Sequence, residues 1–76
     1  MTVKAYVLIE TQVGRTKQVV DTIRKLPGVV LVDSVTGPYD AIAIVQTETL
    51  NDIGTLIVGK VHPIAGISRT VTCLAL

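Results

Sequence analysis

Hydrophobic positions alternate at the start of the chain and then change period. From Thr2 to Glu10, Val3, Ala5, Val7 and Ile9 fall on one side and Lys4, Tyr6, Leu8 and Glu10 on the other, which predicts a strand. A helix follows from Gly14 or Thr16. Val19, Val20, Ile23 and Leu26 recur at helical spacing opposite Lys17, Gln18, Asp21 and Arg24, and Pro27-Gly28 ends the pattern. Val29–Thr36 is rich in β-branched residues and apolar on both sides, as a strand covered on both faces would be. Gly37-Pro38-Tyr39-Asp40 turns the chain, and Ala41–Thr47 pairs back. Thr49 with Asp52 resembles a capping box, with Asp in place of Glu, and opens a second helix. That helix is expected to bury Leu50, Ile53, Leu56 or Ile57, and Val61, and to end at Pro63; Ile67–Leu76 is the last strand.

The order βαββαβ predicts an α+β, ferredoxin-like fold: a four-stranded antiparallel sheet with two helices on one face. The other face is expected to carry Tyr6, Leu8, Val30 and Val32 or their neighbours, and to be buried by sheet-to-sheet dimerisation.

Composition strengthens that expectation. The chain has 76 residues, read as a single domain over 1–76, and 49% are hydrophobic. A domain this small buries only about 60–65% of its unfolded surface, so a mean hydropathy of +0.59 leaves surplus apolar surface for other copies to cover. No apolar run approaches the ~18–20 residues of a membrane span. Lys4, Glu10 and Arg15 interrupt any leader-like segment. One cysteine, Cys73, permits no internal disulfide, which fits a cytoplasmic protein; near the end of an apolar strand it reads as a buried, inert thiol.

Charge argues against nucleic acid. The net charge is +1, and no Lys or Arg lies between Lys25 and Lys60, whereas Asp33, Asp40, Glu48 and Asp52 all do. Two Tyr and no Phe or Trp make no stacking platform. His62 is the sole histidine and has no ligand-spaced partners, so it reads as a loop residue rather than a metal ligand, and no cofactor site is evident.

Three stretches together resemble one family. Leu26-Pro27-Gly28-Val29-Val30, Val35-Thr36-Gly37-Pro38-Tyr39-Asp40 and Gly66-Ile67-Ser68-Arg69-Thr70-Val71-Thr72 are similar to the helix-to-strand turn, the glycine–aromatic–aspartate motif and the final-strand threonines of the Lrp/AsnC feast/famine regulators. The resemblance is to their effector-binding (RAM) domain and spans essentially the whole chain. Typical members begin with a helix-turn-helix domain, whereas this chain starts at the first strand, as a stand-alone RAM domain would. Ala65 stands where a proline is often found.

The resemblance implies a homo-oligomer of dimers with a small effector, usually an amino acid, held between them. A full-length Lrp/AsnC-type regulator is one partner to which it could pass the signal. It also implies ligand-binding roles for Gly37, Tyr39, Asp40, Thr70 and Thr72. Chemically, Asp40 can accept from an ammonium, the turn amides around Gly37 can cradle a carboxylate, Tyr39 can wall a side chain, and the Thr70 and Thr72 hydroxyls can donate or accept.

Each residue also has a plainer role: Asp40 as a turn former, Tyr39 in packing, the threonines as good strand residues. Arg69, opposite in face to the threonines, reads as an interface ion-pair residue with Asp33 as a candidate partner. Two other functions fit the fold: a structural assembly module without ligand, and a small enzyme. No catalytic residue is evident. Tautomerases need proline after Met1, where this chain has Thr2, and Thr11–Arg15 is only a faint echo of an acylphosphatase phosphate loop.

Overall fold

The computed structural model describes residues 2–76. Its elements run β1 (Val3–Thr11), α1 (Thr16–Arg24), β2 (Val29–Ser34), β3 (Ala41–Thr47), α2 (Leu50–Leu56), a wider π-helical turn (Ile57–Val61) and β4 (Ile67–Leu74). The strands form one sheet in the order β2-β3-β1-β4, every neighbouring pair antiparallel. This is the ferredoxin-like α+β fold expected from the alternating periods.

Helix α1 begins at Thr16 rather than Gly14, which has φ +79° and lies in the preceding turn. It stops before Pro27, whose ring disfavours helical geometry in the residue ahead of it. Thr49 caps α2: its hydroxyl accepts from the Asp52 backbone N–H at 3.1 Å. Thr49→Ala removes that acceptor and is expected to lower stability by ~1 kcal/mol. A urea-denaturation midpoint unchanged by the substitution would rule the cap out.

The core lies between the helices and one sheet face. Ala5, Val7 and Ile9 of β1 pair with Val45, Ala43 and Ala41 of β3, and all six are essentially inaccessible. The alanines let Val19, Val20 and Ile23 of α1, and Ile53, Leu56, Ile57 and Val61 of the second helical segment, settle onto the sheet. The opposite face, called the open face below, is formed by Tyr6 and Leu8 of β1, Leu31 and Asp33 of β2, Ile42 and Ile44 of β3, and Arg69, Val71 and Cys73 of β4.

Several sequence expectations change here. Val32 is buried on the helix side (1% exposed), and Leu31 takes the open-face position. The reason is a register shift between Val29 and Leu31: an extra residue, Val30, bulges and reverses the side-chain alternation. Leu50 is 57% exposed instead of buried: it lies in the first turn of α2 at the rim of an open groove beside β4, with Ile53 and Ile57 deeper on the same helix face. Cys73 is exposed on the open face opposite Tyr6. Asp33 and Arg69 share that face but sit on strands at opposite edges of the sheet, so they do not pair within the chain. The second helix ends at Val61, ahead of Pro63, in the π turn, where the His62 N–H donates to the Ile57 carbonyl at 2.8 Å.

Candidate functional site

The β2–β3 turn meets the β1–α1 loop at one end of the sheet, and Asp40 joins them. Its N–H donates to the Ile9 carbonyl (2.9 Å), its carbonyl accepts from Val35 N–H (3.0 Å), and its Oδ2 accepts from Thr11 N–H (2.8 Å). A carboxylate receiving a backbone N–H is held firmly, because charge-assisted bonds are the stronger kind. Its Oδ1 has no partner among the described residues. Asp40 is therefore a turn former with one oxygen left over. The loop beneath is tied in by Thr11 Oγ1···Thr16 Oγ1 (2.7 Å) and by Gln12 N–H donating to Gly66 O (2.7 Å).

Gly37 has φ +132°, a conformation that favours glycine, and the space where a Cβ would point is open. Tyr39 is half-buried, and its hydroxyl accepts from the Arg69 guanidinium at 3.2 Å, the guanidinium carbon standing 5.8 Å from the ring centroid. Arg69 thus links the turn to β4 instead of pairing with Asp33.

Thr70 and Thr72 lie beyond β1, opposite Ile9 and Val7, on the helix side of the sheet. Thr70 Oγ1 is 3.2 Å from His62 Nε2. The two threonines open into different depressions: Thr70 lines one of about 330 Å3 with His62, Ser68 and Arg69, and Thr72 lines one of about 390 Å3 between α2 and β4. The structure therefore brings Gly37, Tyr39 and Asp40 together at one end and sets the threonines apart from them across β1.

Sequence reading did not single out Thr11, since a backbone N–H leaves no trace in residue type. It placed His62 in a loop without its contact to Thr70. The π turn that precedes His62 has no periodic signature either.

The family model for the Lrp/AsnC ligand binding domain matches residues 4–76. The chain belongs to this family. The Lrp/AsnC assignment agrees with the curated relatives: an uncharacterized HTH-type transcriptional regulator of Pyrococcus furiosus is 34% identical over 59 residues, which are 78% of this chain and 39% of that protein. One from Pyrococcus abyssi is 31% identical over the same coverage. The match thus spans about two fifths of the length of these relatives.

Among solved structures, a Thermus thermophilus protein superposes with TM-score 0.93 at 34% identity, covering 97% of this chain and 92% of that one. A Neisseria meningitidis transcriptional regulator, solved as an L-Met complex, shares the fold at TM-score 0.87 and 14% identity, over 97% of this chain and 49% of that one. By its family model, the chain is an Lrp/AsnC ligand-binding domain. Among the described residues, no helix is long and apolar enough to cross a membrane, and no three His, Cys, Asp or Glu gather as metal ligands.

Proposed function

We propose that this domain binds an amino acid at the Asp40 end of the sheet, between protomers, and that binding shifts the balance between assembly states. The observation that carries the reading is the Asp40 carboxylate: Thr11 N–H fixes one oxygen and leaves the other without a partner among the described residues, in the same turn as Tyr39, whose hydroxyl bonds Arg69. A fixed anion in a turn that also carries a tyrosine bonded to a guanidinium offers an acceptor for an ammonium and, from the turn amides and the guanidinium, donors for a carboxylate. Because the threonines lie on the far side of β1, a ligand touching both groups needs walls from a neighbouring copy. The Neisseria regulator bound to L-methionine supports an amino acid as the ligand class.

The open face supports the accompanying dimer. Tyr6, Leu8, Leu31, Ile42, Ile44 and Val71 form an apolar field on it, with Lys4 standing 5.2 Å from the Tyr6 ring centroid. A second sheet packed on that field removes it from water. Ligand held between dimers then stabilises the assembly that binds it by RT ln(1 + [L]/Kd) per site. The signal passes to a transcriptional partner, such as a full-length Lrp/AsnC-type regulator, or to another part of the same protein. The alternative is an assembly module with no ligand, favoured by the engagement of Asp40 in backbone bonds; catalysis is no part of either reading.

Asp40→Asn separates the roles. The amide oxygen still accepts from Thr11 N–H, so stability is expected to stay within about 1 kcal/mol of the parent. Loss of the charge is expected to weaken amino-acid binding at least about tenfold, since a charge-assisted bond becomes a neutral one. Calorimetric titration showing unchanged affinity would assign Asp40 to the turn alone.

A further inference from the structure

Strand β4 is an edge strand, and its outer backbone groups are laid out for a partner. Ala75 N–H donates to the Lys4 carbonyl at 2.9 Å, and the register continues without a break from Leu74 opposite Ala5 to Arg69 opposite Glu10. In an antiparallel ladder, hydrogen-bonded pairs alternate with non-bonded ones. Cys73 and Val71 therefore bond inward to Tyr6 and Leu8, while Thr70, Thr72 and Leu74 turn their N–H and C=O groups outward. The other side of β1 agrees with this parity, because Ile9 O accepts from Asp40 N–H on the β3 side.

The two edges of the sheet are treated differently. At β2, the outward Val32 carbonyl accepts from the Arg24 guanidinium at 3.0 Å, and the bulge at Val30 breaks the row. Such devices are how natural sheets close their edges. From Arg69 to Leu74, β4 has no bulge, no proline and a single charge. Beside it runs the uncharged groove between α2 and β4, lined by Leu50, Gly54, Val58, Thr72 and Leu74 among others. Leu50, Val58 and Leu74 are 57%, 65% and 47% exposed.

We infer that the β4 edge pairs with β4 of a second copy, antiparallel about a two-fold axis through Thr72, joining two sheets into one. The pattern is self-complementary. Thr72 meets Thr72 of the second copy and Thr70 meets its Leu74, giving about six backbone hydrogen bonds. A directly opposed Thr–Thr pair is favourable. Arg69 falls opposite Ala75 of the second copy, so like charges do not oppose each other. The same approach brings the two α2–β4 grooves together and withdraws Leu74 and Val58 from water. This contact is separate from open-face packing, and two different interfaces on one protomer allow dimers to be joined into larger assemblies.

Residue-resolved amide hydrogen exchange, with native mass measured on the same samples, tests the pairing. In the parent chain, the Thr70, Thr72 and Leu74 amides are expected to exchange at least about tenfold slower than unprotected amides. Thr72→Pro removes an outward donor while sparing the inward ladder. Leu74→Lys places a charge in the groove and serves if the proline variant does not fold. Each is expected to lower the native mass and restore fast exchange at Thr70, with Val71 and Cys73 still protected as reporters of the fold. Fast exchange at all three outward amides in the parent would overturn the pairing. So would an unchanged mass in a folded variant, or slowing seen only when a foreign extended peptide is added.

Discussion

Replacing Ile44 by Glu is expected to separate the proposed open-face dimer while leaving the protomer folded. Ile44 lies in the middle of that face, paired with Tyr6 on one side and Leu31 on the other, and it is only half-buried within its own chain. The helix-side core does not include it. In a face-to-face dimer the carboxylate would have to lose its water without a counter-charge, costing on the order of 3 kcal/mol or more. That corresponds to at least about a hundredfold weaker association. Sedimentation should show a fall in native mass with an unchanged circular dichroism spectrum. An unchanged mass would mean that the open face is not the interface.

The largest effect on folding is expected from Gly66→Ala. Gly66 has φ +99°, and a Cβ there would lie 3.0 Å from Arg15 Cβ and 3.1 Å from Val19 Cγ2. Val19 is fully buried in α1, so it has nowhere to retreat, and the Gly66 carbonyl also anchors Gln12 N–H. Backbone strain and overpacking together are expected to cost ~3 kcal/mol. For a domain of this size that is a large share of total stability, equivalent to a fall in Tm of about 15 °C. Gly37→Ala is the internal comparison: φ is +132° but the space is open, so only strain remains, at about 1–2 kcal/mol. Thermal melts showing equal losses for the two would contradict the packing account.

Both glycines read simply as turn residues in the sequence. Only the structure shows which one has α1 pressed against it. The same division runs through the fold. Alternation in Val3–Ile9 and the three-to-four spacing in Val19–Leu26 make β1 and α1 legible, because each has one wet and one dry side. Val29-Val30-Leu31-Val32 has no alternation to read, so nothing in it reveals that Val30 bulges and that Val32 faces inward. Leu50 is apolar at a helix start, and residue type alone cannot say that the groove it faces beside β4 is left open. In the candidate site, the residue types at Gly37, Tyr39 and Asp40 point to a tight turn rich in hydrogen-bonding groups. Their partners, Thr11 N–H and the Arg69 guanidinium, come from distant strands whose register is a property of the whole sheet.

Calorimetric titration of the unaltered chain with each of the twenty amino acids, tracking native mass by light scattering in the same samples, tests the central claim most directly. Saturable binding of one amino acid or a few, accompanied by a shift in mass, is the expected result. An intact oligomer that binds none of them and keeps its mass throughout would contradict the ligand-binding account and leave an assembly module in its place.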